Sequence, residues 1–175
     1  LHKLWRVRDR KGYHVEYGYS CMGYEIPGAL GVALADDTRD VFAMVGDGGY
    51  LMMPTELVVA VQERVKLVVV LVQNHGFHSI GSLSEGLGSQ RFGTSYQFRG
   101  GDGRLDGGYL PVDLAANARS LGAHVIEVHD RAVRCVGGAA LLHLVLERLG
   151  QPVPRTEFHA AQHRPGLGLT EVVVL

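Results

Sequence analysis

Two short segments of this chain gather the oxygen-bearing side chains and glycines that a divalent cation and a phosphate group require. The first is Gly46-Asp47-Gly48-Gly49 and the second is Gln73-Asn74-His75-Gly76. Magnesium takes hard oxygen ligands in an octahedron, one or two from carboxylates and the rest from phosphates and water. Asp47 offers a carboxylate, Asn74 an amide oxygen, and Gly76 a backbone able to turn a carbonyl toward the metal. Gly46, Gly48 and Gly49 let a backbone approach a phosphate without side-chain clash. A helix beginning near Pro54 would turn its positive end toward that phosphate. A lone Gly-Asp-Gly is most often a turn, so the pair of segments carries the reading rather than either alone. Two other phosphate motifs fail. The dinucleotide pattern GxGxxG needs a glycine at 51, where Leu51 stands, and no Gly-Lys-Ser/Thr occurs.

Both segments follow apolar runs that read as buried strands, residues 41–46 and 67–72. Residues 54–64 read as a helix between them, with Pro54 at its first position. If the two strands are neighbours, Asp47 and Asn74 come together beyond their carboxyl ends, where ligands bind in such sheets. Further along, residues 111–121 read as a helix capped by Gly122, 124–128 as a strand, 138–149 as a helix and 171–175 as a last strand. Residues 27–35 form a small-residue helix suited to close packing on a sheet. Residues 100–108 read as a surface loop, and 151–168, with three prolines, as a second irregular stretch. The alternation predicts an α/β fold, a doubly wound parallel sheet flanked by helices.

The 175 residues suit one domain. Hydrophobic residues at 46%, charged residues at 20% and a net charge of −1 describe a soluble globular chain and point to neither nucleic acid nor membrane as partner. The two cysteines, Cys21 and Cys135, show no paired spacing, so a zinc site or disulfide framework is not expected, and a reducing, cytoplasmic setting fits best. The chain starts at Leu1 without a methionine and stops at Leu175 within a strand-like run, which leads us to expect a piece of a longer protein.

Asp47 and Asn74 stand 27 positions apart, with a helix and a strand between. This resembles the signature of the thiamine-diphosphate-dependent enzymes, Gly-Asp-Gly followed after a fixed interval by Asn-Asn. Gln73 replaces the first asparagine, and Asn74 matches the second. The resemblance implies that Asp47, Asn74 and the Gly76 carbonyl hold Mg2+, with Gly46, Gly48, Gly49 and Phe77 beside the diphosphate. It also implies a diphosphate-type domain as the fold. A second block, residues 18–31, is similar to the family's Gly-x-Met-Gly-(Tyr/Phe)-x-Leu-Pro segment. By that likeness Met22 props the cofactor into its bent shape, Cys21 lies beside it, and the Ser20 carbonyl receives the 4′-amino group. A core methionine is the plain alternative for Met22.

Residues 1–9, 11–36, 44–58, 74–94 and 105–123 resemble more narrowly a branch that hydrolyses a carbon–carbon bond in a polyol-derived ring diketone during inositol breakdown. That likeness implies ring opening to a deoxy sugar acid, 5-deoxy-glucuronate. It fades after His129, and residues 131–170 depart from the family pattern. His75 and His78 flank the metal segment as candidate proton shuttles, with ordinary loop histidines as the alternative. Ser82, Ser84 and Ser89 are candidate polyol contacts, with a Gly/Ser loop as the simpler account. The family's activating glutamate sits on a separate pyrimidine-binding domain, and none of Glu16, Glu25, Glu56 and Glu63 matches its motif. The resemblance therefore implies a missing domain, a second subunit and no activity for this chain alone. The alternatives are an acetohydroxyacid-synthase-like carboligase or decarboxylase, against which residues 75–89 argue, and a non-catalytic fragment.

Overall fold

The computed structural model describes residues 7, 9–128 and 171–174, the last four as backbone. The helix expected at 138–149 and the irregular stretch at 151–168 lie outside the described residues. Four strands form one sheet in the order β1-β2-β4-β3. They are β1 (Phe42–Gly46), β2 (Val68–Gln73), β3 (Ile126–Val128) and β4 (Glu171–Val174). β2 is the run of valines and leucine that reads as buried on both faces. Val69, Val70 and Leu71 are fully buried, as an interior strand requires.

β1 and β2 pair in parallel, with Phe42 opposite Val68 and Gly46 opposite Val72. β4 runs antiparallel to both β2 and β3. The expectation of a parallel sheet therefore holds for β1 and β2, while the sheet as a whole is mixed. A run of valines marks a strand but says nothing of its direction.

The helices are α1 (Glu25–Ala35), α2 (Asp47–Met52), α3 (Glu56–Gln62), α4 (His78–Gly86) and α5 (Leu114–Ser120). α1 begins two residues before the expected start. Pro27 falls in its first turn, where a missing N–H breaks no helical bond. α5 begins at Leu114 rather than at 111, because the Asp113 side chain accepts from the Ala116 N–H at 2.7 Å and sets the cap. Gly122 ends it at φ +91°, as expected of a left-handed terminator.

One expectation fails at α2. The chain turns into a helix at the end of β1, with Gly46 as its cap residue, so the helix start beside Asp47 belongs to α2. The segment at Pro54 is a turn, and α3 starts at Glu56. Proline is a good first helical residue but does not exclude an earlier helix.

The core joins Ile26, Ala43, Val45, Tyr50, Leu57, Val69, Leu71, Leu114, Ala115 and Ala118. Tyr50 is completely buried, and its hydroxyl donates to Asn117 Oδ1 at 2.8 Å. This bond ties α2 to α5 and satisfies a polar atom that is costly to bury unpaired, at roughly 1–3 kcal/mol. α2, which begins with Asp47, is thereby anchored to the core.

Candidate functional site

The parallel register explains the interval between the two motifs. With Gly46 opposite Val72, Asp47 falls level with Gln73, and Asn74 comes one residue later at the same end of the sheet. Asp47 is 1% exposed. Its Oδ1 accepts from Gly48 N at 2.9 Å, and its Oδ2 accepts from Asn74 N at 3.2 Å and Gly76 N at 3.1 Å. Burial pushes the Asp47 carboxyl above its usual range, against the lowering effect of the N–H groups of Gly76, Asn74, Gly48 and His75. A carboxylate out of water calls for a compensating positive charge.

Asn74 supplies the second group. The side-chain amide atom that faces the site lies 3.1 Å from Asp47 Oδ1 and 2.8 Å from the Gly76 carbonyl oxygen. With its nitrogen inward, Asn74 donates to both and closes the site on itself. With its oxygen inward, three oxygens converge, which is repulsive unless a cation lies among them. Magnesium–oxygen bonds at right angles put neighbouring ligand oxygens about 2.9 Å apart. The observed separations match that edge, so the residues present fit a magnesium ion. Among the described residues no three His, Cys, Asp or Glu side chains gather around a metal position. The donor set is one carboxylate, one amide and one carbonyl, hard oxygens that suit magnesium.

Gly76 makes this geometry possible. Its φ is +146°, and a Cβ there would stand 2.3 Å from the Thr94 carbonyl oxygen and 2.8 Å from Ser95 Cα. The turn is clamped by two backbone bonds, Phe77 N to Thr94 O and Tyr96 N to His75 O, both 2.8 Å. Residues 94–96 were missed in the sequence as part of the site, and no local pattern marks them. Gly48 has a different use from the one expected, because a Cβ there would meet the Phe77 ring at 2.5 Å. Its missing side chain makes room for Phe77, which also packs edge-on against Tyr96. Gly46 does face open space. Beside Gly49 stands Glu25, with both carboxylate oxygens 3.4 Å from where a Cβ would lie.

The Ser20–Met22 block reaches the same end of the fold. Gly23, at φ +83°, packs against Met52 and Met53 at the end of α2. Ser20 has φ +52°, Cys21 is an exposed free thiol and Met22 is 41% exposed. The two histidines separate. His75 stacks on Tyr109 with ring centroids 4.3 Å apart, whereas His78 keeps a buried Nδ1 with no hydrogen-bond partner. Burial, then Arg91, push the His78 imidazole below its usual range, against the pull of Asp47. The serines are engaged locally. Ser82 accepts from Arg91, and the Ser84 and Ser89 hydroxyls bond one another. Gln73, at the position of the family's first asparagine, is buried and bonds to none of the oxygens of Asp47, Asn74 and Gly76. An apolar groove lined by Leu57, Val61, Lys66, Gly122 and His124 lies at the amino end of β2, away from these oxygens.

Residues 1–141 match the family described as thiamine pyrophosphate enzyme, C-terminal TPP binding domain. Proteins named 3D-(3,5/4)-trihydroxycyclohexane-1,2-dione hydrolase from Bacillus cereus (strain AH820), Bacillus anthracis (strain A0248) and Bacillus thuringiensis (strain Al Hakam) are each 46% identical over 129 residues. The match covers 73% of this chain and 20% of each relative, so the chain spans about a fifth of their length. With Asp47, Asn74 and Gly76 converging at the strand ends, the chain belongs to the thiamine pyrophosphate enzyme family, whose C-terminal TPP binding domain it matches.

Proposed function

We propose that residues 1–175 belong to the diphosphate-binding domain of a thiamine-diphosphate- and magnesium-dependent hydrolase that opens the ring of trihydroxycyclohexane-1,2-dione. The observation that carries this reading is the convergence of the Asp47, Asn74 and Gly76 oxygens at the separations of a magnesium octahedron. The 46% identity to relatives named for that diketone supports the substrate over the carboligase alternative.

Bound thiamine diphosphate supplies a carbon nucleophile that makes cleavage of the bond beside a ring ketone accessible. This chain's own residues grip and shape. Asp47, Asn74 and the Gly76 carbonyl would hold the magnesium, which would anchor the diphosphate. Gly49 would offer a backbone N–H at the first turn of α2, where the Gly48 N–H is already held by Asp47, and Phe77 would wall the site. Ser20 would present its carbonyl to the aminopyrimidine, and Met22 would support the cofactor beside it. His78, whose imidazole has a buried Nδ1 and is pushed below its usual range by burial and then Arg91, is the better placed of the two histidines to accept and pass on a proton near the diphosphate. Stacking on Tyr109 makes His75 a structural residue of the turn.

The remaining machinery lies on a pyrimidine-binding domain and a second subunit, so the active form is an oligomer and this chain alone is inactive. Ile80, Leu83, Leu87 and Phe92, on α4 and just after it, are exposed next to the metal turn. An apolar surface of this kind suits cover by a further domain. No helix among the described residues is long and apolar enough to cross a membrane. A cytoplasmic enzyme of inositol breakdown fits this reading.

Incubating the full-length protein with the diketone, thiamine diphosphate and magnesium tests the proposal. It predicts one product, the open-chain deoxy acid 5-deoxy-glucuronate. Inertness toward the diketone together with carboligation of pyruvate would establish the synthase-like alternative instead.

A further inference from the structure

Glu16 lies just before the cofactor loop. Its carboxylate reaches forward along the chain. Oε1 accepts the N–H of Tyr19 at 2.8 Å, and Oε2 accepts that of Cys21 at 2.7 Å. The N–H groups of Gly18 and Ser20 also act on it, and the set holds the Glu16 carboxyl below its usual range. Successive backbone donors gathered around one anion fix the path of the chain that bears them. Such a restraint has a purpose here. Ser20 sits at φ +52°, a conformation that a residue with a Cβ keeps only when its surroundings impose it. The approach is close, since a Cβ on Gly18 would lie 3.2 Å from Glu16 Oε1. A second tie, His14 Nε2 to the Tyr24 hydroxyl at 2.9 Å, fastens the loop to the start of α1. Among the described residues no hydrogen-bond donor occupies the Ser20 carbonyl.

We propose that Glu16 is a positioning residue for the aminopyrimidine end of the cofactor, its carboxylate fixing residues 16–21 so that the Ser20 carbonyl is presented as an acceptor for the 4′-amino group. This rests on the function proposed above. A carbonyl oriented before binding spares the ligand the cost of ordering the loop. The diphosphate end is built from other segments, so Glu16 acts on one end of the ligand and Asp47 on the other.

Calorimetric titrations of the full-length protein in magnesium separate the two ends. The probes are thiamine diphosphate, oxythiamine diphosphate (in which oxygen replaces the 4′-amino group) and inorganic diphosphate. Glu16→Ala weakens thiamine diphosphate about tenfold, the scale of one lost hydrogen-bond set. It leaves inorganic diphosphate unchanged, which also shows that the variant is folded, and it narrows the preference for thiamine diphosphate over the oxy analogue. Glu16→Gln keeps one acceptor and recovers part of the loss. Unchanged thiamine diphosphate affinity in Glu16→Ala overturns the proposal, and so does an equal loss for thiamine diphosphate and inorganic diphosphate. Asp47→Ala is titrated alongside. Should it retain both ligands, the proposed function itself falls, independently of Glu16.

Discussion

Asp47 is 1% exposed and held by three backbone N–H groups, whereas Tyr19, at the other half of the proposed site, is 91% exposed and Met22 41%. The proposed metal turn is assembled from strand ends and clamped by residues 94–96. The proposed cofactor loop is a surface segment shaped by Glu16 and pinned at Gly23. The difference separates two ways of making a site. The metal turn inherits its geometry from the sheet, so disturbing it disturbs the fold. The cofactor loop hangs on a few local hydrogen bonds, so it can be altered with the fold intact.

The largest effect that sharpens this contrast is expected at Gly76. A side chain there meets the Thr94 carbonyl at 2.3 Å in a backbone region that side chains rarely enter. Gly76→Ala is expected to lower stability by about 1–3 kcal/mol, the usual scale for imposed backbone strain. It should also remove magnesium-dependent cofactor binding. Thermal unfolding and titration on the same sample check both losses together.

Next comes pH. Burial raises the Asp47 carboxyl, so the folded, metal-free chain holds that proton more tightly than the unfolded chain does. The folded chain then binds more protons, and the Asp47 contribution to stability falls as pH rises through the window from the ordinary value of 3.8 up to the raised folded value. Magnesium competes with that proton and offsets the buried charge. The gain in melting temperature from magnesium is therefore expected to be larger at pH 7 than close to pH 3.8, where the folded chain keeps the Asp47 proton. An equal gain at both pH values would remove Asp47 from the metal.

The smallest effect belongs to the loop. Met22→Ala should change stability by less than about 0.5 kcal/mol, as for exposed positions generally, while weakening thiamine diphosphate several-fold. A large loss of stability would mean that Met22 is a core residue and that the two regions are not built differently.

The meeting of Asp47 and Asn74 was legible in the sequence, because the interval between them is a strand register written as a residue count. β1, β2 and the terminator at Gly122 were legible for similar local reasons. The start of α2 was hidden, because Pro54 gives a stronger helix-start signal than Gly46 does. The antiparallel course of β4 was hidden too, because a valine run has no direction. The Thr94–Tyr96 clamp, the stacking of His75 on Tyr109 and the filling of Gly48's space by Phe77 depend on residues brought together from far along the chain. Spacing within one segment carries no trace of them. Gln73, which replaces the family's first asparagine, is buried and makes no bond to the oxygens of Asp47, Asn74 and Gly76.

The most direct test is calorimetric titration of thiamine diphosphate into the full-length protein, with and without magnesium, for the native sequence and for Asp47→Ala. Binding is expected to require magnesium and to weaken at least about a hundredfold, more than 2.7 kcal/mol, in Asp47→Ala. Binding that ignores magnesium, or that survives in a folded Asp47→Ala variant, would contradict it.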